Sequence, residues 1–191
     1  DGSSTNVDVG GTLLLDGNST LESTATTSTD EYRLNINAAH VTVETGSKIS
    51  ADAKGYPQVT TRKFRGPGNS DYDAIGGSIN TAAGGAHGGM GGAHSASYRT
   101  LYTYGDFRAP TTLGSSGGWT GSTAGKRGGG AIRLNSPGTI TIDGIISANG
   151  QTGVGSYPGA GGSVYITADT VTGTGTITAG GGSSGTTGGG G

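Results

Sequence analysis

The 191-residue chain contains no cysteine, which removes disulfide staples, thiolate metal sites and thiol nucleophiles together. Charged residues are only 13% of the chain, and 11 Lys and Arg against 13 Asp and Glu leave a net charge of −2. Neither sign is in enough surplus to hold nucleic acid or an anionic membrane surface. The longest aliphatic run is Leu13-Leu14-Leu15, far short of the ~20 apolar residues that cross a bilayer. No stretch carries a long 3.6-residue apolar period, which excludes a helical bundle and disfavours a doubly wound α/β enzyme. Proline is rare (5 residues), and the glycines do not fall at every third position, so a collagen helix is excluded as well.

What is abundant is glycine, with 43 residues, against ~7% in an average domain. Glycine costs ~1 kcal/mol per helix-interior position. High glycine and low hydrophobicity are also a signature of disorder, but Val- and Ile-rich segments and the small net charge oppose that reading. Three of these segments repeat. Arg33-Leu34-Asn35-Ile36 leads through Val41-Thr42-Val43 to Lys48-Ile49-Ser50-Ala51. Ile132-Arg133-Leu134 leads through Ile140-Thr141-Ile142 to Ile145-Ile146-Ser147-Ala148, and Val164-Tyr165-Ile166 through Val171-Thr172 to Thr176-Ile177-Thr178-Ala179.

Each copy reads as short strand, turn, strand, then a strand ending in Ile-Ser/Thr-Ala, with one apolar and one polar face. Asp143-Gly144 and Gly173-Thr174-Gly175 supply the corners. The last two copies lie 31 or 32 residues apart, and Val41 precedes Ile140 by 99, close to three such periods. A period of this size marks stacked architectures. The expected fold is all-β, a right-handed parallel β-helix with a glycine-rich insertion; an antiparallel β-sandwich or jelly roll is the alternative.

Residues 1–31 are read apart from the single β-solenoid domain of 32–191. Thr12 to Leu21 echoes the strand–turn–strand pattern, the first nine residues alternate weakly through Val7 and Val9 as a detached arm would, and 22–30 reads as a Ser/Thr-rich linker. Residues 56–130 interrupt the repeat. They hold the run Gly84 to His94 and an aromatic cluster between Tyr98 and Trp119, and end in Gly128-Gly129-Gly130. Bracketed by strands of one repeat, this stretch is read as packed extended polyglycine in preference to a flexible linker.

Three pieces then carry a family resemblance: Gly84-Gly85-Ala86-His87-Gly88-Gly89-Met90-Gly91-Gly92, then Tyr104-Gly105-Asp106 with Pro110-Thr111-Thr112-Leu113-Gly114-Ser115, then Gly128-Gly129-Gly130-Ala131-Ile132-Arg133-Leu134. Their order resembles large glycine-rich extracellular proteins of bacteria and simple eukaryotes, with a distant likeness to the glycine-rich ectodomain of anaplastic-lymphoma-kinase-type receptors. The resemblance spans roughly residues 30–185. It implies an extracellular β-helical or polyglycine-packed module with a surface, adhesive or ligand-binding role, and it carries no catalytic residue over.

The sites read from the residues follow. His87 and His94 flank Met90 without a nearby carboxylate, so they suit the edge of a polyglycine layer better than a metal site. Asp71 and Asp73, around Tyr72, offer oxygen ligands to Ca²⁺, but the regularly spaced acidic loop is missing. No paired-carboxylate face, Gly-x-Ser-x-Gly elbow or phosphate loop is present. No catalysis, cofactor or resident metal is expected. Tyr98, Tyr102, Tyr104, Phe107 and Trp119 would stack on sugar rings or dock a partner if exposed, and would form a satellite core if buried. Alternating Thr139, Thr141, Thr170, Thr172, Thr174, Thr176 and Thr178 suggest a flat threonine face, as on ice-binding solenoids, over one coil. Asn18-Ser19-Thr20 is a glycosylation acceptor triplet if the chain is secreted. The start at Asp1 is read as that of a processed mature form.

An uncapped solenoid exposes unpaired strand edges at both ends, and neither terminus offers a capping helix. The expected function is that of a secreted structural protomer assembling head to tail into an extracellular filament or surface layer. The N-terminal segment, with Val7, Val9, Leu13, Leu14 and Leu15, would complete a neighbour's sheet, and the glycine-rich tail 180–191 would pack on a neighbouring copy. The alternative is a glycan-binding adhesin or receptor module that uses the aromatic insertion. Partners are therefore copies of itself or glycans, without nucleic acid or membrane insertion.

Overall fold

A computed structural model of the chain describes residues 3–57, 66–67, 83–92, 103–118, 124–154, 156–185 and 187–191. Among these the fold is all-β, without a helix. The chain passes four times through the same strand positions. The first layer holds β1 (Ser3–Leu15) and β2 (Thr20–Glu22), and the second β3 (Tyr32–Val43) and β4 (Lys48–Ser50). The third holds β5 (Ala131–Asn135), β6 (Thr139–Ile142) and β7 (Ile145–Ser147), and the fourth β8 (Ser163–Thr167), β9 (Thr170–Thr172) and β10 (Thr176–Thr178). Two curled sheets result, one of β1, β3, β5, β6, β8 and β9 and the other in the order β10-β7-β4-β2. Every pair of named strands is parallel. The antiparallel pairing that a sandwich requires does not occur among them.

Period-two alternation aligns the inward side chains into columns that run through the layers. Val7, Ile36, Leu134 and Ile166 form one column; Leu13, Val41, Ile140 and Val171 form a second; Leu21, Ile49, Ile146 and Ile177 form a third. The members from the second and third layers are fully buried. Outward positions carry a ladder of side chains, in which Asn37 donates to the Asp8 carboxylate at 2.7 Å and Asn135 donates to Asn37 at 3.4 Å. The corners absorb differences in length: Gly10 and Gly11 of β1 stand opposite the single Ala39, a bulge where a wider turn is made.

This register revises two expectations. Val41 and Ile140, 99 residues apart, are direct pairing partners, so no further layers lie between the first two repeat copies. The intervening insertion leaves the stack and returns one layer on. Residues 3–22, in turn, are the first layer itself, since β1 lies along β3 and β2 along β4. The arm suggested by Val7 and Val9 is a paired strand.

Beside the stack, glycine-rich segments form a bundle with neither helix nor ladder. Its centre is the segment 157–162, whose backbone is bonded to six others. Tyr157 O accepts from Lys126 N, Pro158 O from Gly85 N, and Gly159 O from Gly182 N. Ala160 N donates to Ser115 O, Gly161 N to Gly190 O and Gly162 N to Ala148 O. Outward bonding on all sides is the pattern of packed polyproline-II-type chains, which have no internal hydrogen bonds. It works only where no side chain separates the backbones. A Cβ on Gly159 would overlap the Arg127 carbonyl, and one on Gly162 the Gly130 carbonyl. The packed reading of the glycine run therefore holds for its described part. The tail, expected on a neighbouring copy, instead packs into its own chain's bundle through Gly190 N to Gly85 O and Gly92 N to Gly188 O.

Arg127 rivets bundle to stack, donating to Ala53 O at 2.8 Å, to Gly55 O at 3.0 Å and also to Thr26 O. Three carbonyls on two separate connections are satisfied by one planar fork, a geometry that Lys cannot reproduce.

Gly159→Ala should lower the unfolding free energy by at least about 3 kcal/mol, because backbone must shift to admit the methyl. Gly10→Ala, with nothing within 4 Å of its new Cβ, should change it by less than about 1 kcal/mol. Urea denaturation of both variants checks the contrast.

Candidate functional site

The stack terminates at two unlike ends. At the N-terminal end β1 and β2 are each paired along one edge only, among the described strands. Of the five assembly candidates, Leu15 is buried, Val7, Val9 and Leu13 are half-buried against the core, and Leu14 points outward beside Thr42. At the other end β8, β9 and β10 carry the free edge. There the columns finish half in water: Val171 is 52% exposed and Ile177 47%, while their partners Ile140 and Ile146 are fully buried. Val164 and Ile166 are half-buried. These four C-terminal residues were missed as assembly candidates, because their strands alternate just as the internal ones do. The available signal was that theirs is the last copy.

Over this C-terminal end stands the segment 103–110, the described part of the aromatic cluster. Tyr98, Tyr102 and Trp119 lie outside the described residues. Tyr104 is half-buried and faces inward: its hydroxyl donates to Leu113 O and lies 2.9 Å from Ser115 Oγ. Burial drives its phenol pKa well above the ordinary range. Its ring packs on the His87 imidazole at 4.9 Å between centroids. Phe107 is 86% exposed, with the Arg108 guanidinium 5.0 Å from its ring centre. His87, Tyr104 and Phe107, together with Val164 and Ile177 of the last layer, border a cleft of about 480 Å³.

His87 is buried, 2.7 Å from Thr112 Oγ1 through Nε2, and burial holds its pKa below the usual value. A neutral imidazole so engaged is a bracket for the cleft wall. Met90 is exposed, and His94, Asp71, Tyr72 and Asp73 lie outside the described residues. Among the described residues, no three His, Asp or Glu side chains converge as a metal site would require. Asn18 sits exposed at the turn between β1 and β2, in left-handed backbone (φ 61°) that Asn tolerates. The threonine face pairs Thr139 and Thr141 with Thr170 and Thr172, and Thr42 extends the Thr141 position to a third layer. The positions of Thr176 and Thr178 are Ile145 and Ser147 one layer below.

A polar cluster holds the insertion to the second layer. Glu31 accepts from Arg33 at 2.6 Å and from the Tyr56 hydroxyl, and Arg33 Nε donates to Thr111 O at 3.0 Å. Burial pushes the Glu31 carboxyl up, but the Tyr56 and Arg33 hydrogen bonds and the Arg33 charge outweigh it and hold the pKa below 4.5. No helix of the described residues is long and apolar enough to cross a membrane. Searches of protein-family models, curated proteins and solved structures find no match to the chain.

Because the folded pKa of Glu31 lies below its unfolded value, its stabilising share is fully present above about pH 4.5 and fades as the pH falls through the lowered folded value. Glu31→Gln should therefore narrow its gap from the wild type as the pH drops from about 5 to 3, measured as the melting temperature at each pH. A gap that stayed constant through this window would show that the carboxylate charge is not what holds the insertion.

Proposed function

We propose that the chain is a secreted structural protomer that assembles head to tail into an extracellular filament or surface layer. In this reading the four layers wind as a right-handed parallel β-helix, the hand that parallel crossovers adopt in ~98% of cases. The observation that carries the reading is the unfinished core at both ends, in one shared register. Beyond Ile166, Val171 and Ile177, the next members of the three columns would be a neighbour's Val7, Leu13 and Leu21. Covering the exposed halves of Val171 and Ile177 contributes about 1 kcal/mol each. Paired edges would add backbone hydrogen bonds of the kind used in strand addition.

The two ends are unlike surfaces, and an unlike contact that does not close on itself continues into an open polymer. The exposed Asn18 triplet and the resemblance to glycine-rich surface proteins support an extracellular setting. The protomer so read performs no catalysis and needs no cofactor, nucleic acid or membrane insertion. The second reading, a glycan-binding adhesin, is favoured by one observation, the exposed Phe107 ring at the lip of the cleft.

Charged substitutions test the joint while leaving the middle layers intact. Val7→Lys with Leu13→Lys should disable the N-terminal end, and Val171→Lys with Ile177→Lys the C-terminal end. Each double variant alone should stay monomeric in analytical ultracentrifugation, and their mixture should give dimers through the one intact joint. Homodimers of either variant alone, or a wild type that stays dispersed at all concentrations under electron microscopy, would sink the head-to-tail reading.

A further inference from the structure

We infer that the cleft under the 103–110 segment is the socket of this joint, and that its occupant is the first layer of a second copy of the chain. The inference rests on the head-to-tail reading and adds where the neighbour seats and what grips it.

The floor of the cleft is the cut face of the core. Val164 and Ile177 both line it, and each is the last member of its column. Thr5, Leu34, Ile132 and Val164 pair in sequence, as do Leu21, Ile49, Ile146 and Ile177. One more parallel layer, at the ~4.8 Å strand spacing, sets a neighbour's Thr5 over Val164 and its Leu21 over Ile177. The floor thus matches the side chains that begin this same chain.

The wall is built and braced. Ser163 Oγ, in the last layer, donates to Thr112 O at 2.7 Å, and Tyr104 N donates to His87 O at 2.9 Å. The Thr112 hydroxyl is engaged by His87, and the Tyr104 hydroxyl by Leu113 and Ser115. A sugar needs free polar groups aimed at its hydroxyls, and the Thr112 and Tyr104 hydroxyls and the His87 Nε2 are already committed within the wall. Asp106 Oδ1 likewise accepts from Arg108 N at 2.8 Å. Much of the polar equipment of the cleft holds its wall in place, and most of the surface left open is apolar, with Phe107, Pro110, Val164 and Ile177 beside Thr103, Asp106 and Gly191.

The absence of cysteine makes the test direct. Thr5→Cys and Val164→Cys, made in separate full-length chains and mixed under mild oxidation, should give a cross-linked heterodimer, because facing residues on adjacent strands meet the 4.4–6.8 Å Cα separation of a disulfide. Phe107→Ala should raise the concentration needed for assembly about tenfold or more without moving the melting temperature, since the ring is in water in the free chain. Filaments that persist with Phe107→Ala unchanged and no 5–164 cross-link would overturn the socket while leaving head-to-tail assembly standing. A 5–5 cross-link would overturn it through like-end contact, and a dispersed wild type would overturn both readings. Binding of free oligosaccharides by the dispersed wild type, lost in Phe107→Ala, would make the cleft a sugar site instead.

Discussion

No layer of this protein can bury its own core. A layer offers a few inward side chains on short strands, and only a second layer, laid parallel above it, removes those side chains from water. Everything else follows from that dependence. The second and third layers, covered on both sides, hold Ile36, Ile49, Leu134 and Ile146 fully buried. The outer layers use the same alternation and finish half in water. Half-exposed outer columns are thus a property of the stacking rule.

The glycine bundle answers a different problem that the stack creates. Each layer must leave its last strand, and the segments that leave the second, third and fourth layers, 51–57, 148–162 and 179–191, are hydrogen-bonded into one bundle. Side chains there would force the returning backbones apart and leave their N–H and C=O groups unpaired, at a cost of ~1–3 kcal/mol for each buried group. Removing the side chains lets the segment 157–162 bond to six neighbours directly. The insertion supplies three of those six: 83–92, 113–118 and 124–130. It belongs to the scaffold, and through Tyr104 and His87 the same scaffold carries the cleft wall to the last layer.

Legibility in the sequence divides along this same line. Wherever apolar residues alternate, position could be read: the copies at 33–51, 132–148 and 164–179 fall on the observed strands, and the inward columns are the expected ones. The first layer was half legible, since Thr12 to Leu21 echoed the repeat while the Gly10-Gly11 bulge disguised the continuity of β1. In the bundle, position was invisible. Glycine specifies closeness but carries no side chain to say which neighbour it approaches, so the home of the tail in its own chain could not be read from Gly180 to Gly191. The C-terminal end was hidden for the opposite reason, because Val171 and Ile177 look like core and differ from Ile140 and Ile146 only in what lies above them.

The asymmetry between the ends then acquires a physical meaning. A stack with two identical open faces would pair with itself in either sense, and backbone edges alone do not discriminate, since parallel and antiparallel strands both satisfy N–H and C=O groups. Here the first layer ends on β1 and β2 with nothing beside them among the described strands, and the last layer sits beside a wall that carries the exposed Phe107. In the proposed assembly, direction would come from that wall, which stands at one end only and acts by shape, so salt would leave it unchanged. Adhesion would come from the unfinished columns, which would be the same at any joint between layers of this fold.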